Sequence, residues 1–216
     1  MAEFIRLTHS DMQTALIRAR RALEADRLIV IPTETVYGLA GRVSGAVARR
    51  IFEVKRRDEG KPLPIIGASV EAFEGHIAQM PTAALVLARH YWPGPLTLVV
   101  PRVESLPDVI TGGRASVGVR VPNHPFTLAL LEHFGGAMIA TSANMSEAEP
   151  VVDAARLPET LTERVDAVFD AGPCPLQQAS TVLDLTVSPP SVLRTGPIAD
   201  SELHRILNEA REETRQ

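Results

Sequence analysis

The 216 residues predict an α/β protein, a mixed, twisted β-sheet with helices on its faces. Two observations carry that prediction. Short apolar runs of β character alternate along the chain with segments whose apolar residues repeat at helical spacing. The connections between them mix short and long, as expected where antiparallel and parallel neighbours share one sheet.

The elements follow in order. Ser10 and Gln13 resemble a capping box, and Ala15, Leu16, Ala19, Ala22 and Leu23 then recur on one helical face. Leu28–Ile31 is a buried strand, stopped by Pro32. A helix over 45–55 buries Val47, Ile51 and Val54 and runs into Lys55-Arg56-Arg57. Leu63–Ile66 is a strand broken by Pro64, which predicts an edge or a bulge. Ser69 caps a short helix, and Pro81 suits the first turn of one that runs to about Tyr91. Pro93-Gly94-Pro95 turns the chain into the strand Leu96–Val100. Ser116–Val121 alternates as a strand, and Pro125 opens a helix that Gly135-Gly136 ends. Ala137–Thr141 is a strand that delivers Ser142-Ala143-Asn144. Residues 145–164 read as a long loop with some helix, and strands follow at 165–169, 181–185 and 191–194. From Ser201 a last helix aligns Leu203, Ile206, Leu207 and Ala210.

Length and composition bound the setting. The chain fits one large domain or two small ones, and a single domain of this size buries roughly 70% of its unfolded surface. Cys174 is the one cysteine, so no intramolecular disulfide forms, and a neutral thiol in a reducing compartment is expected. MAEFIRLTHSDM has no apolar signal core and no run reaches membrane-spanning length. A soluble, cytoplasmic protein without membrane contact is therefore expected. A net charge of −4 argues against a surface coated for nucleic acid.

Three polar clusters stand at or just past element ends: Thr33-Glu34-Thr35, Lys55-Arg56-Arg57 and Thr141-Ser142-Ala143-Asn144. Ligands of open α/β sheets sit in a crevice beyond strand ends, and hydroxyls beside cations suit a ligand carrying phosphates and a carboxylate. Each cluster also has a plain reading. Threonines after a strand make turns, a basic run complements a helix C-terminus, and Ser-Ala-Asn caps the next helix. Arg120 is harder to dismiss. It alternates with Gly118 and Ser116, and an arginine facing the interior needs a ligand or a buried carboxylate. The six histidines show no HExxH or Cys/His spacing, and no metal-binding side chains are predicted. Neither G-x-x-x-x-G-K-[ST] nor G-x-G-x-x-G occurs, and no G-x-S-x-G elbow supports a serine hydrolase.

In order along the chain, "IPTETVYGLA", "KRRDEGKPLPII", "YWPGPLTLVV", "SVGVRVPNHP", "IATSANMS", "STVLDL" and "VLRTGPI" resemble the YrdC-like threonylcarbamoyl-AMP synthases. The resemblance implies one YrdC-like domain over 1–216, with a core of about 8–198 and a C-terminal helix of about 201–213. Its fold would be an open, twisted mixed sheet around a basic central cavity. The implied enzyme is a nucleotidyltransferase that condenses L-threonine, bicarbonate and ATP, with Mg²⁺, into threonylcarbamoyl-adenylate and releases pyrophosphate. The product would pass to a tRNA threonylcarbamoyl-transferase for threonylcarbamoyladenosine modification of tRNA, and contact with tRNA itself is left open.

Carried onto this chain, the family's K-x-R and S-x-N pairs fall on Lys55, Arg57, Ser142 and Asn144, for catalysis and ATP binding. Thr35 matches a contact to the amino acid, Arg120 the holder of its carboxylate, and Ser116 and Thr141 the cavity wall. Ser180 and Arg194 match later contacts to threonine or its adenylate and to ATP. Two stretches depart from the family pattern. Asp58, followed by Glu59-Gly60, stands where the family often has proline, with Lys61 then expected to reach the phosphates, and Ser146-Glu147 replaces Ser-Gly. The alternative is a non-catalytic RNA-binding or accessory paralogue of the same fold. A carbamoyl-phosphate-dependent relative would bring extra domains.

Overall fold

The computed structural model describes residues 2–8 and 10–213, with side chains to 209. In chain order it contains β1 (Glu3–Arg6), α1 (Met12–Glu24), β2 (Ile29–Ile31), β3 (Gly38–Arg42), α2 (Gly45–Lys55), β4 (Ile65–Ile66), α3 (Thr82–Tyr91) and β5 (Leu96–Pro101). There follow α4 (Asp108–Thr111), β6 (Ser116–Arg120), α5 (Pro125–Phe134), β7 (Met138–Ser142), α6 (Glu159–Thr162), β8 (Ala167–Asp170), β9 (Thr181–Asp184), β10 (Ser191–Arg194) and α7 (Asp200–Glu213). The ten strands form one mixed sheet in the order β1-β8-β2-β3-β7-β4-β6-β5-β9-β10.

Four local expectations are corrected. β4 lies in the middle of the sheet, parallel to β6 and antiparallel to β7, and not at an edge. Pro64 stands just before it and needs no N–H there, while its carbonyl accepts from the Ala140 N–H at 3.0 Å. The capping box at Ser10 does not form: α1 begins after Asp11, and Ser10 Oγ instead meets Thr8 Oγ1 at 2.9 Å. The helix at Ser69 is a single 3-10 turn, Glu71–Phe73, with Val70 at its N-cap and no side-chain cap. Pro81 is the N-cap of α3 rather than part of its first turn. Two strands escape the apolar-run criterion. β1 pairs with β8 at an edge, and β3, Gly-Leu-Ala-Gly-Arg, forms a hairpin with β2. Gly41 is required in that strand, because a Cβ there would come 2.5 Å from Val47 Cγ1 of α2.

Strand alternation splits the core in two. Leu28, Val30, Leu39, Val117, Val119, Leu96, Leu98 and Leu183 face one way, into a cluster with α2, α3, α4 and α7. Ile29, Ile31, Ala40, Met138 and Phe169 face the other way, against α1 and α5. On this second face the helices cover only the first part of the sheet. Beyond them Gly118 and Arg120 of β6, Thr97 and Val99 of β5, and Val182 of β9 are left facing a cavity.

Candidate active site

The cavity holds about 250 Å³ on that uncovered stretch of sheet. Its floor is therefore mid-strand rather than the crevice past strand ends that the sequence suggests. Gly118 makes the room: a Cβ there would sit 3.2 Å from Thr97 Cγ2 and 3.6 Å from Pro64 Cβ. Seven predicted residues line it: Thr35, Arg57, Arg120, Thr141, Ser142, Ser180 and Arg194. Together they come from the loop after β2, the end of α2, strands β6, β7 and β10, and the segment that leads into β9.

Arg57 reaches the cavity through the end of α2. Arg56 adopts the left-handed conformation at φ 49°, and the Arg57 N–H closes the helix on the Phe52 carbonyl at 2.9 Å. The turn separates neighbouring cations. Arg57 faces the cavity, donating through Nη2 to the Pro62 carbonyl at 3.3 Å, and its buried Nε has no partner among the described residues.

Lys55 goes the opposite way. It is 1% exposed, does not line the cavity, and spends its three N–H donors on Ser142 O, Asn144 O (2.6 Å) and Asn144 Oδ1 (3.3 Å). Asn144 in turn receives Ser142 Oγ–H and donates to the Ala148 carbonyl. Lys55 and Asn144 thus tie the loop after β7 to the end of α2 and present Ser142 to the cavity, rather than touching a ligand from this position. Burial, with Arg57 adding repulsion, pulls the Lys55 ammonium from 10.5 down to about 7.

Arg120 answers the question the sequence leaves open, because a buried carboxylate meets it. Oε1 of Glu34 lies 2.7 Å from its Nη2, with both side chains at most 10% exposed. The pairing is one of charge, since Oε1 accepts no aligned hydrogen bond. Arg120 Nε donates to the Gly94 carbonyl at 2.9 Å and Nη2 to Thr35 Oγ1 at 3.0 Å. Thr33 completes the arrangement. Its hydroxyl donates to Val36 O at 2.6 Å and accepts the Thr35 and Val36 N–H groups, so the 2.8 Å hydroxyl contact takes its proton from Thr35. Arg194 donates to Ser180 O (2.9 Å) and Ser180 Oγ (3.0 Å), and Ser180 Oγ also meets Thr97 Oγ1 at 2.8 Å. Burial lowers the pKa of all three guanidiniums, and Arg194 is lowered further by Arg120 and Arg57. They crowd one volume that no acidic side chain lines among the described residues.

Two predicted residues stand apart. Ser116 is at the other end of β6 from Arg120, opposite Pro101, and does not line the cavity. Lys61 forms an exposed ion pair with Glu147 at 3.4 Å, away from the cavity, so it is not placed on phosphates here. Glu147, from one departure, therefore holds the lysine expected to compensate for the other. The sequence marks Thr33 and Glu34 only as members of a polar cluster, with no role of their own, and gives Gly118 none, although the alternation Ser116-Gly118-Arg120 marks the glycine's face.

A family model, Sua5_yciO_yrdC, described as telomere recombination, matches residues 21–196. The chain belongs to this family. A threonylcarbamoyl-AMP synthase of Pyrococcus abyssi (strain GE5 / Orsay) is 40% identical over 186 residues, 86% of this chain and 55% of that protein. The crystal structure of P. abyssi Sua5 complexed with L-threonine superposes with a TM-score of 0.89 at 36% identity, covering 97% of this chain and 61% of that one. A Mycobacterium tuberculosis (strain H37Rv) relative is 37% identical over 194 residues, 89% of this chain and 88% of its own. The chain thus spans just over half of the P. abyssi protein and most of the M. tuberculosis one. No helix among the described residues is long and apolar enough to cross a membrane.

Proposed function

We propose that this protein is an L-threonylcarbamoyladenylate synthase, condensing L-threonine, bicarbonate and ATP and releasing pyrophosphate. The observation that carries the reading is the convergence of Arg57, Arg120 and Arg194 on one cavity whose remaining polar lining is hydroxyl. The similarity to a Sua5 that binds L-threonine supports it. The chemistry asks for such a site. Threonine's amine takes up carbon dioxide with loss of a proton, and a carbamate oxygen attacks the α-phosphorus as pyrophosphate leaves. No protein nucleophile is required. What is required is that two anions be held in line, against their repulsion.

In this reading Arg57, with its unpartnered Nε, and Arg194 neutralise the phosphates. Arg120 binds the threonine carboxylate, and Thr141, Ser142 and Ser180 orient the reactants without adding charge. Magnesium enters as the Mg²⁺ salt of ATP, and the cavity lining of hydroxyls and guanidiniums leaves that ion to the phosphates. The product is a labile mixed anhydride, which suits hand-over to a tRNA threonylcarbamoyl-transferase.

Purified protein with ATP, Mg²⁺, bicarbonate and threonine should release pyrophosphate and form the adenylate, and omitting either bicarbonate or threonine should abolish both. Binding of structured RNA with no pyrophosphate formed would favour a non-catalytic paralogue.

A further inference from the structure

Glu34 is the acidic residue that the reaction does not use. It is 6% exposed and anchored at several points. Oε2 accepts the Asn123 N–H at 3.0 Å, Oε1 faces Arg120 at 2.7 Å, and its carbonyl accepts the Leu176 N–H at 2.8 Å. A carboxylate so placed does two things to Arg120. It completes the set of partners at Nε and Nη2, with Gly94 O and Thr35 Oγ1, and leaves Nη1 as the nitrogen without a protein partner among the described residues. It also cancels the charge of that guanidinium at short range, while Arg57 and Arg194 have no carboxylate partner among the described residues.

We propose that Glu34 is a positioning and specificity-determining residue: it presents Arg120 as a neutralised, one-sided donor that accepts an amino-acid carboxylate and rejects a phosphate. Three free guanidiniums around 250 Å³ would draw polyanions to every part of the cavity, and a nucleotide or pyrophosphate would then occupy the place of the zwitterion. With Arg120 paired, phosphates gain most at Arg57 and Arg194. A carboxylate, needing one donor edge, still fits at Nη1. This rests on the synthase reading for the identity of the amino acid, but not for the charge selection itself.

Glu34→Gln tests it, because glutamine keeps the shape and still accepts from the Asn123 N–H while losing the charge. The threonine KM is expected to rise on the order of 10–100-fold, because Arg120 loses the carboxylate that fixes its guanidinium and the Nη1 donor to the substrate carboxylate is no longer held in place. ATP KM should stay within about twofold and kcat within about threefold. Inorganic phosphate should become a competitor of threonine in the variant and not in the wild type. Glu34→Asp keeps the charge, so it should still exclude phosphate and recover part of the threonine affinity. If Gln folds poorly, the Asp variant carries the test through the same phosphate competition. An unchanged threonine KM, an equal loss of both substrates, or no gain of phosphate binding in Glu34→Gln would overturn the proposal. If the wild type forms no pyrophosphate, the synthase reading fails by itself. Calorimetric titration of inorganic phosphate into wild type and Glu34→Gln then still decides the role of Glu34.

Discussion

Lys55 and Arg57 stand two positions apart and do opposite work, because one left-handed residue, Arg56, turns the chain between them. Lys55 gives all three donors to the loop that carries Ser142 and Asn144, and its burial sets a measurable signature. A group whose native pKa, about 7, lies below its unfolded value of 10.5 binds fewer protons in the folded state between those limits, so stability rises with pH there. Relative to Lys55→Met, the wild type should gain up to about 1.4 kcal/mol per pH unit above pH 7. Urea midpoints of both proteins at several pH values between neutrality and pH 9 check it. Parallel midpoints would mean that the three carbonyl oxygens hold the ammonium charged throughout. Of the seven cavity-lining residues, Thr35, Arg57, Thr141 and Ser142 were legible as polar clusters at element ends and Arg120 by the alternation of its strand, while Ser180 and Arg194 came only from the family resemblance. The direction of each side chain was not. Periodicity places Arg120 on a face but says nothing of Glu34, which reaches it from 86 positions away, and it cannot tell a lysine aimed at a ligand from one folded inward.

The strands that build the cavity were mostly legible, since β5, β6, β7, β9 and β10 alternate or run apolar between turn residues. The misses have specific causes. β3 carries two glycines that weaken its β signal, and one of them, Gly41, is there because α2 lies directly on it. β4 is only two residues long, and Pro64 beside it suggested an edge, because sequence cannot show that a missing N–H falls outside the ladder. The segment after β10 shows a motif whose glycine has a purely steric reason. A Cβ at Gly196 would come 2.3 Å from Thr181 N and 2.5 Å from Ala179 O, both backbone atoms that cannot rotate away. Gly196→Ala should therefore push the end of β10 off the start of β9 and carry Arg194 from its bonds to Ser180. The expected result is an ATP KM raised about tenfold or more, with a stability loss of about 1–3 kcal/mol for the overpacked contact. Steady-state kinetics and denaturant melts on the same preparation separate the two effects.

Taken whole, the molecule puts its larger core and its chemistry on opposite faces of one sheet. A chain of net charge −4 gathers three guanidiniums in a single recess, so its attraction for anions is local to the cavity rather than spread over the surface. The other face carries the larger core, where α7 packs on α3 and buries Leu203, Ile206 and Leu207. None of these three residues lines the cavity. The division makes a clean prediction. Leu203 is 0% exposed, and truncating a leucine in a packed core removes its transfer free energy and leaves a void, so Leu203→Ala should cost about 2–5 kcal/mol. Because the sheet lies between that void and the site, KM for ATP and for threonine should each stay within about twofold at temperatures where the variant remains folded. Chemical denaturation gives the first number and initial rates of pyrophosphate release the second. If both KM values rose in step with the lost stability, the two faces would be coupled through the strands, and the cavity geometry would depend on core packing that this separation treats as independent.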